Sequence, residues 1–392
     1  MTEEQKQSAR YEDTLLADYS EDNSLTGGHA DLPFAMLTLL LLAVGVIMVL
    51  SASYARAYYV RSETQGSGVY YFTRQLIFAV AGVIVMFICS RLPMMLYRRF
   101  SLLMMFVSIL LLLLVLVIGR NVNGSTRWID LGFTTFQPSE ITKISLILFF
   151  SSRLGKRDNG VDSLRGMIPY ILWLGAVFGL LLFEPHYSAI IIIGLVALSL
   201  LYVGGVKGWW FVLGFAAVAV AAYVVYTHVD YVQNRVNAWL DPLGSDSDSW
   251  QIRQSLYAVG SGGLTGLGLG NSRAKYLYLP EEHNDFIFAI VCEELGFIGA
   301  ALILALFAVL VCRGYWISMH ARNRFEMLVG VGISTKLAAQ VAMNVAVCTN
   351  AIPCTGISLP LFSYGGTALL IQMAEMGIML SISRNCRERT AK

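Results

Sequence analysis

The stretch Phe34-AMLTLLLLAVGVIMVLSA-Ser53 carries no charged residue. At 1.5 Å of rise per residue, ~20 helical residues reach ~30 Å, the thickness of a bilayer's hydrocarbon core. A helix at the surface of a water-soluble protein is apolar on one face only, so a run apolar all round reads as a membrane span. Comparable windows recur at 72–90, 101–119, 138–152, 167–183, 187–204, 209–227, 285–312, 325–346 and 359–381. The whole chain agrees, being 56 % hydrophobic and 14 % charged, against ~25 % charged in an average soluble domain. The expected fold is an all-α integral membrane bundle of about ten transmembrane helices, one domain over residues 34–384.

Lys and Arg gather at alternate turns: Arg91, Arg98 and Arg99; Arg153, Lys156, Arg157 and Arg165; Lys207; Arg313, Arg322 and Arg324; then Arg384, Arg387, Arg389 and Lys392. The other turns hold only Arg56, Arg61, Arg120 and Arg127, with Arg74 just inside the second span. By the positive-inside rule the basic turns are cytoplasmic, and an even number of spans puts both termini there too. Residues 1–33 are polar and acidic, the reverse of a signal-peptide start, and are expected to be a disordered cytoplasmic tail. Residues 385–392 form a short basic tail. The net charge of +2 and the lack of a basic stripe exclude a nucleic-acid partner. The six cysteines have no CxxC spacing, so neither a metal site nor a disulfide framework is expected; Cys348 and Cys354 alone are close enough in sequence for a bridge. No repeat of fixed period is apparent, and the two halves show no matching pair of Gly/Pro-broken helices, which weakens a transporter reading.

This topology leaves a large outer loop at 227–284, between the seventh and eighth spans, too long to be a plain connector. It is one of three polar outer segments. The first runs from Asn123 through Arg127-Trp-Ile-Asp-Leu-Gly132 to Gln137-Pro-Ser-Glu140 and Lys143. Pro138 suits the first helical turn, which leaves Lys143 one turn deeper in the membrane, where a cation is costly. Two readings stand for it: a functional cation facing a cavity, or a snorkelling lysine paired with Glu140 at i, i+3. The second segment is glycine-rich, from Gly260 through Gly270 and Lys275 to Leu279-Pro-Glu-Glu-His-Asn-Asp-Phe-Ile-Phe288. It lacks the strand and helix that a nucleotide-binding fingerprint needs, and its glycines permit close backbone approach to a ligand or unusual turns. Asp285 stands where this loop enters the next span. Desolvation there raises a carboxylate toward the range of a general base, although the same position also suits a carboxylate that complements the helix dipole. Glu293 and Glu294 follow in that helix; being adjacent, they point ~100° apart and do not form a paired carboxylate site. The third segment holds Asn344, Pro353-Cys-Thr-Gly356 and Leu359-Pro-Leu-Phe-Ser-Tyr-Gly-Gly366, where Pro and paired Gly at membrane depth predict a broken helix or re-entrant segment.

Together these segments resemble the SEDS family (shape, elongation, division and sporulation), whose members include FtsW, RodA and SpoVE. The matching stretches are RWIDLG…QPSE…K at Arg127 to Lys143, the glycine-rich run from Gly260 to Gly296, and PCTGISLPLFSYGG at Pro353 to Gly366. They follow in family order over nearly all of the chain after residue 34. Val49 to Ala55 and the closing MLSISR look nearer the FtsW and SpoVE branch than RodA.

The resemblance implies a ten-helix bundle in the bacterial cytoplasmic membrane, working at the division septum. It also implies a peptidoglycan glycosyltransferase that polymerises lipid II and releases undecaprenyl diphosphate. Its partners would be lipid II, a class B penicillin-binding protein, other divisome proteins and membrane lipid. The family's catalytic carboxylate falls on Asp285, preceded here by Asn284 in place of the commoner Thr. Substrate contacts are expected of Arg127, Gln137, Lys143, Glu184, Lys275, Glu281, His283 and Ser363. Where a family form reads QPDLGT, this chain reads Glu184-Pro-His-Tyr-Ser-Ala189, so no acidic role carries over to His186. One base and a cationic cluster suffice for glycosyl transfer, whereas glycoside hydrolysis uses two carboxylates. Arg127, Lys143 and Lys275 are the candidates to neutralise diphosphate, and a divalent cation (Mg²⁺ or Mn²⁺) acting with them stays open as a cofactor. A lipid II flippase, or a membrane scaffold for the transpeptidase, are the rival readings.

Overall fold

A computed structural model describes residues 28–386, apart from 61–63, 65, 123–124, 133, 157–160 and 162. Of the tails expected at 1–33 and 385–392, residues 1–27 and 387–392 lie outside the described residues, as do Arg61, Asn123 and Arg157, while the end of the first is ordered, Asp31 capping a helix that starts at Leu32. Among the described residues the chain forms α1 (Leu32–Tyr59), α2 (Tyr70–Arg91), α3 (Met94–Ile118), β1 (Arg120–Val122), β2 (Ser125–Asp130), β3 (Thr135–Phe136) and α4 (Pro138–Leu154). There follow α5 (Leu164–Phe183), α6 (Tyr187–Val203), α7 (Gly208–His228), α8 (Asp230–Leu240), α9 (Ser247–Ser261), α10 (Ile287–Met319), α11 (Arg324–Cys348) and α12 (Gly366–Arg384). Every predicted apolar window carries a helix. Eight of these helices are long and apolar enough to cross a membrane. The two that fall short are α6, an apolar 17-residue helix, and α4, also of 17 residues, which carries Glu140, Lys143 and Arg153.

Helix ends follow local chemistry. The Asp31 carboxylate accepts the Phe34 N–H at 3.0 Å and starts α1, Pro138 opens α4 without wasting an amide, and Asn323 caps α11 by accepting from the Glu326 N–H at 2.9 Å. Asp31 also ties the two ends of the chain together: its N–H donates to Ser383 Oγ at 3.0 Å and its carboxylate pairs with Arg313 at 2.8 Å. At the same end Arg324 donates to the Gly204 carbonyl at 2.8 Å and Ser381 Oγ to that of Leu92 at 2.8 Å. One end of the bundle therefore holds both described termini and basic turns.

The other end carries three irregular pieces. The small antiparallel sheet β1-β2-β3 links α3 to α4. The large loop is half helical: α8 and α9 lie in it, and Ser255 of α9 donates to the Cys348 carbonyl at 2.8 Å. The segment between α11 and α12 is re-entrant and buried, with Ile357, Leu359, Leu361 and Phe362 all under 4 % exposed. The last apolar window had been expected to turn helical at 359, but α12 begins only at Gly366. Residues 359–365 stay irregular because side chains satisfy their backbone groups: Gln372 accepts from Leu361 N–H at 2.9 Å, and Gln75 donates to the Ser363 carbonyl at 3.2 Å and accepts from Gly365 N–H at 3.3 Å.

The glycine-rich run also serves the backbone. α10 is broken at Gly296, which has φ 67° and ψ −172°, and the amides and carbonyls freed there bond to the loop. Leu267 N–H donates to the Glu293 carbonyl at 3.0 Å, Gly268 N–H to that of Glu294 at 3.0 Å, Phe297 N–H to Gly263 at 2.9 Å and Ile298 N–H to Leu264 at 3.1 Å. Gly266, at φ +79°, and Gly296 let the two backbones meet without a Cβ between them. Of the two openings left by the sequence, ligand approach or unusual turns, the glycines serve the turns.

Candidate active site

The three polar segments converge on one cavity of about 920 Å³ at the end of the bundle opposite the termini. Arg127 reaches it from β2, Gln137 and Lys143 from the start of α4, His186 from the α5–α6 turn, Arg235 from α8, and Glu281 and Asp285 from the approach to α10. The wall thus brings Arg127, Lys143 and Arg235 together with Asp285, beside the further carboxylates of Asp130, Glu140, Asp248 and Glu281.

Asp285 is held by its neighbours on the re-entrant side. Its carbonyl accepts the Asn344 amide at 2.8 Å, and the same amide donates to the Ile357 carbonyl at 2.6 Å. Gly356, at φ +67°, passes so close that a Cβ there would sit 3.2 Å from the Asp285 carboxylate. Burial, reinforced by the negative charge of Glu281, pushes the Asp285 carboxyl up to about 6, with Arg127, Arg235 and His283 pulling the other way. Asp285 is thus a carboxylate of raised proton affinity on the cavity wall, two residues before α10 begins. Glu281 takes a left-handed conformation, φ 55°, and its side chain accepts from Asn284 Nδ2 at 2.7 Å, which fixes the turn before Asp285.

Arg127 donates to the carbonyls of Pro185 and of Glu184, the latter at 3.4 Å, so β2 is pinned to the α5–α6 turn. His186 Nε2 lies 3.3 Å from the Gln137 amide nitrogen. Burial and the nearby charges of Arg127 and Lys143 push its imidazole well below the usual range, so it is neutral. Glu184 does not line the cavity; it is buried behind Arg127 with no hydrogen-bond partner for either carboxylate oxygen. Burial pushes its carboxyl up to about 8, against the pull of Arg127. Lys143 lines the cavity and also bonds Glu140 at 2.6 Å, the i, i+3 pair of its second sequence reading.

Three other expected contacts lie outside the cavity. Lys275 is buried against the break in α10, 3.0 Å from Glu294 and 2.5 Å from the Gly270 carbonyl. A buried carboxylate at the break needs a cation, and Lys275 provides it. Glu293, its neighbour, accepts from Arg273 N–H at 3.0 Å and Ala274 N–H at 3.3 Å, so the two glutamates clamp the loop and form no paired acid site. His283 sits between Tyr71 and Tyr364, at ring-centroid distances of 4.7 and 5.7 Å. Ser363 Oγ donates to the Asn284 carbonyl at 2.6 Å and accepts from Leu359 N–H at 2.7 Å. These two brace the turn that presents Asp285.

Sequence reading missed Arg235, 3.6 Å from Asp248 and 5.3 Å from the Tyr231 ring. The signal was an amphipathic run, Asp230 to Leu240, inside a stretch read as one loop. It also missed Lys336 and Glu375, which had been absorbed into apolar windows. Cys348 and Cys354 are both free, buried thiols.

The model of the family described as "Cell cycle protein", which groups FtsW, RodA and SpoVE, matches residues 32–388. The chain is 39 % identical over 359 residues to a "Probable peptidoglycan glycosyltransferase FtsW" of Trichlorobacter lovleyi, covering 90 % of this chain and 93 % of that one. It is also 39 % identical to the "Stage V sporulation protein E" of Bacillus subtilis, covering 91 % and 98 %. Among solved structures, a chain described under "Structural coordination of polymerization and crosslinking by a peptidoglycan synthase complex" superposes with a TM-score of 0.77 at 26 % identity, covering 92 % and 99 %. The rod shape determining protein RodA of Thermus thermophilus superposes at 0.68 with 25 % identity, covering 91 % and 98 %. With its three motif segments gathered on one cavity and its whole membrane domain matched, this chain is a multi-pass membrane protein that belongs to the FtsW/RodA/SpoVE family.

Proposed function

We propose that this chain is a peptidoglycan glycosyltransferase that polymerises lipid II at the outer face of the bacterial cytoplasmic membrane. The observation that carries the reading is the position of Asp285, a carboxylate raised to about 6 in a cavity that Arg127, Lys143 and Arg235 also line. Asp285 takes the proton from the GlcNAc 4-hydroxyl of one substrate as that oxygen attacks the MurNAc anomeric carbon of the other. The bond from that carbon to the diphosphate oxygen breaks, and undecaprenyl diphosphate leaves. The cations stabilise the charge that builds on the diphosphate, in a site where preorganised charge is worth more than in water. Among the described residues, no group of three His, Cys, Asp or Glu side chains is placed to hold a metal ion. Arg127, Lys143 and Arg235 supply the neutralisation that side chains give from the cavity wall.

The large loop and cavity face outward, with both termini in the cytoplasm, because the basic turns lie at the opposite end. Septal wall synthesis beside a class B penicillin-binding protein and other divisome proteins is the setting that FtsW-type relatives suggest. The experiment is polymerisation of lipid II by purified protein, with glycan length resolved on gels. The wild-type chain is expected to make polymer, and Asp285→Asn to lower the rate about 10²–10⁴-fold. Polymer made by Asp285→Asn at the wild-type rate would sink the base assignment. Polymer made only by an added partner would point to the scaffold, and transbilayer lipid II movement without polymer to the flippase.

A further inference from the structure

Below the cavity floor lies a group of four buried charges that the glycosyl transfer above does not use in full. Lys143 of α4 bonds Glu140 at 2.6 Å. On the far side of Glu140, Lys336 of α11 stands 3.7 Å from its other carboxylate oxygen, and that oxygen has no hydrogen-bond partner. Lys336 in turn holds Glu375 of α12 through both oxygens, at 2.7 and 2.8 Å. Lys336 and Glu375 are 1 % and 2 % exposed. Glu140 and Lys143 line the cavity, whereas Lys336 and Glu375 do not.

Two lysines and two glutamates balance in charge, so stability alone would be served by two closed pairs, or by apolar residues of similar volume. The arrangement is not two closed pairs. Lys336 leans on Glu140 as well as on Glu375, and Glu140 keeps one oxygen turned to it. A lysine bound to a lone glutamate is a poor anion receptor, because leaving would strand a buried carboxylate. A second cation at the back of that carboxylate removes the penalty.

We infer that Lys336, held by Glu375, is a positioning residue that takes over Glu140 when Lys143 turns into the cavity to meet an anionic, diphosphate-bearing substrate. Lys143 then contributes its full charge to the diphosphate while Glu140 stays compensated. The inference rests on the proposed lipid II reading for the identity of the anion, but binding tests it without turnover.

The test measures binding of lipid II in nanodiscs to Asp285→Asn protein, in which chemistry is suppressed. The pair variant is Lys336→Met with Glu375→Leu, which removes both charges together and leaves Glu140 to Lys143 alone. A Lys143→Met/Glu140→Gln version of each protein, which strands no carboxylate, completes a double-mutant cycle, and Lys336→Arg serves as the conservative control. The pair variant should bind lipid II about tenfold more weakly, with an unchanged melting temperature in the absence of lipid. The loss should vanish in the Lys143→Met/Glu140→Gln background, because the effect runs through that lysine. Lys336→Arg should bind as wild type. Wild-type binding by the pair variant, or an equal loss with and without Lys143, would overturn the inference, as would a melting temperature that falls in step with affinity. Failure of the wild-type chain to polymerise lipid II that it nonetheless binds would count against the proposed function alone, whereas absence of any binding overturns both.

Discussion

At the residue scale, Asp285 and Lys275 were both picked from the same stretch, and the structure separates them. The apolar and backbone groups around Asp285 raise its proton affinity without burying it away from the cavity. A base works ionised, and the ionised fraction falls as pH drops through about 6. The initial rate of lipid II polymerisation at limiting substrate should therefore fall on the acid side of about pH 6, ~tenfold for each further unit. A rate independent of pH between about 4.5 and 7 would contradict Asp285 as the base. Lys275 has the opposite character. It compensates Glu294 at 3.0 Å inside the protein, so Lys275→Met should destabilise the fold by about 3–5 kcal/mol, and adding Glu294→Gln should recover most of it. Thermal melting of the detergent-solubilised single and double variants measures this, and the surviving folded fraction should bind lipid II as wild type does.

At the scale of elements, irregular backbone is tolerated because something specific answers each freed group. The break in α10 is answered by the loop at 263–268, and the re-entrant segment by Gln75, Gln372 and Asn344. A Cβ on Gly296 would meet the backbone of Leu264 and Gly266 inside van der Waals contact. Gly296→Ala should thus cost more than the ~1–3 kcal/mol of an unfavourable φ/ψ alone, because the loop hydrogen bonds part as well. The expected sign is a lowered melting midpoint with increased proteolysis between residues 262 and 272; an unchanged midpoint would show that the loop yields freely. Glycine spacing announced such turns in the sequence. It did not announce their partner, since the loop and the helix break are ~30 residues apart and either alone is equally compatible with ligand approach.

At the scale of the whole molecule, the contact of Asp31 with Ser383 and Arg313 fixes both described termini at one end, and the cavity occupies the other. With Cys312 changed to serine to lower the thiol background, a cysteine introduced at Ser245 should react with a membrane-impermeant maleimide on intact spheroplasts. One introduced at Lys207 should react only after permeabilisation. The reverse pattern would invert the orientation and put the cavity on the cytoplasmic side, where the proposed reaction does not belong. Of the chain's large apolar surface, α7 is the most exposed helix, with 6 % of its most apolar 18-residue window buried, as expected of a span with lipid on most of its faces.

The sequence by itself determined the membrane class, the places of the spanning helices, and the three polar segments that meet at the cavity. Those are local properties: apolar length, charge at turns, and the backbone habits of Gly and Pro. Asp285 was legible as a candidate at the mouth of a span, where a general base and a dipole-complementing carboxylate both fit, and the family motif chose between them. Only the tertiary structure decided which charges share a cavity. Lys143 and Lys275 are alike as sequence, each a lysine near an acid; one lines the cavity and the other a helix break. Arg235, Lys336 and Glu375 stood in windows whose average hydropathy or loop character concealed them, and each gains its meaning from a partner on another element: Asp248, Glu140 or Lys336. Electrostatics acts over a few ångströms of space, and separation along the chain says nothing of that distance until the helices have packed.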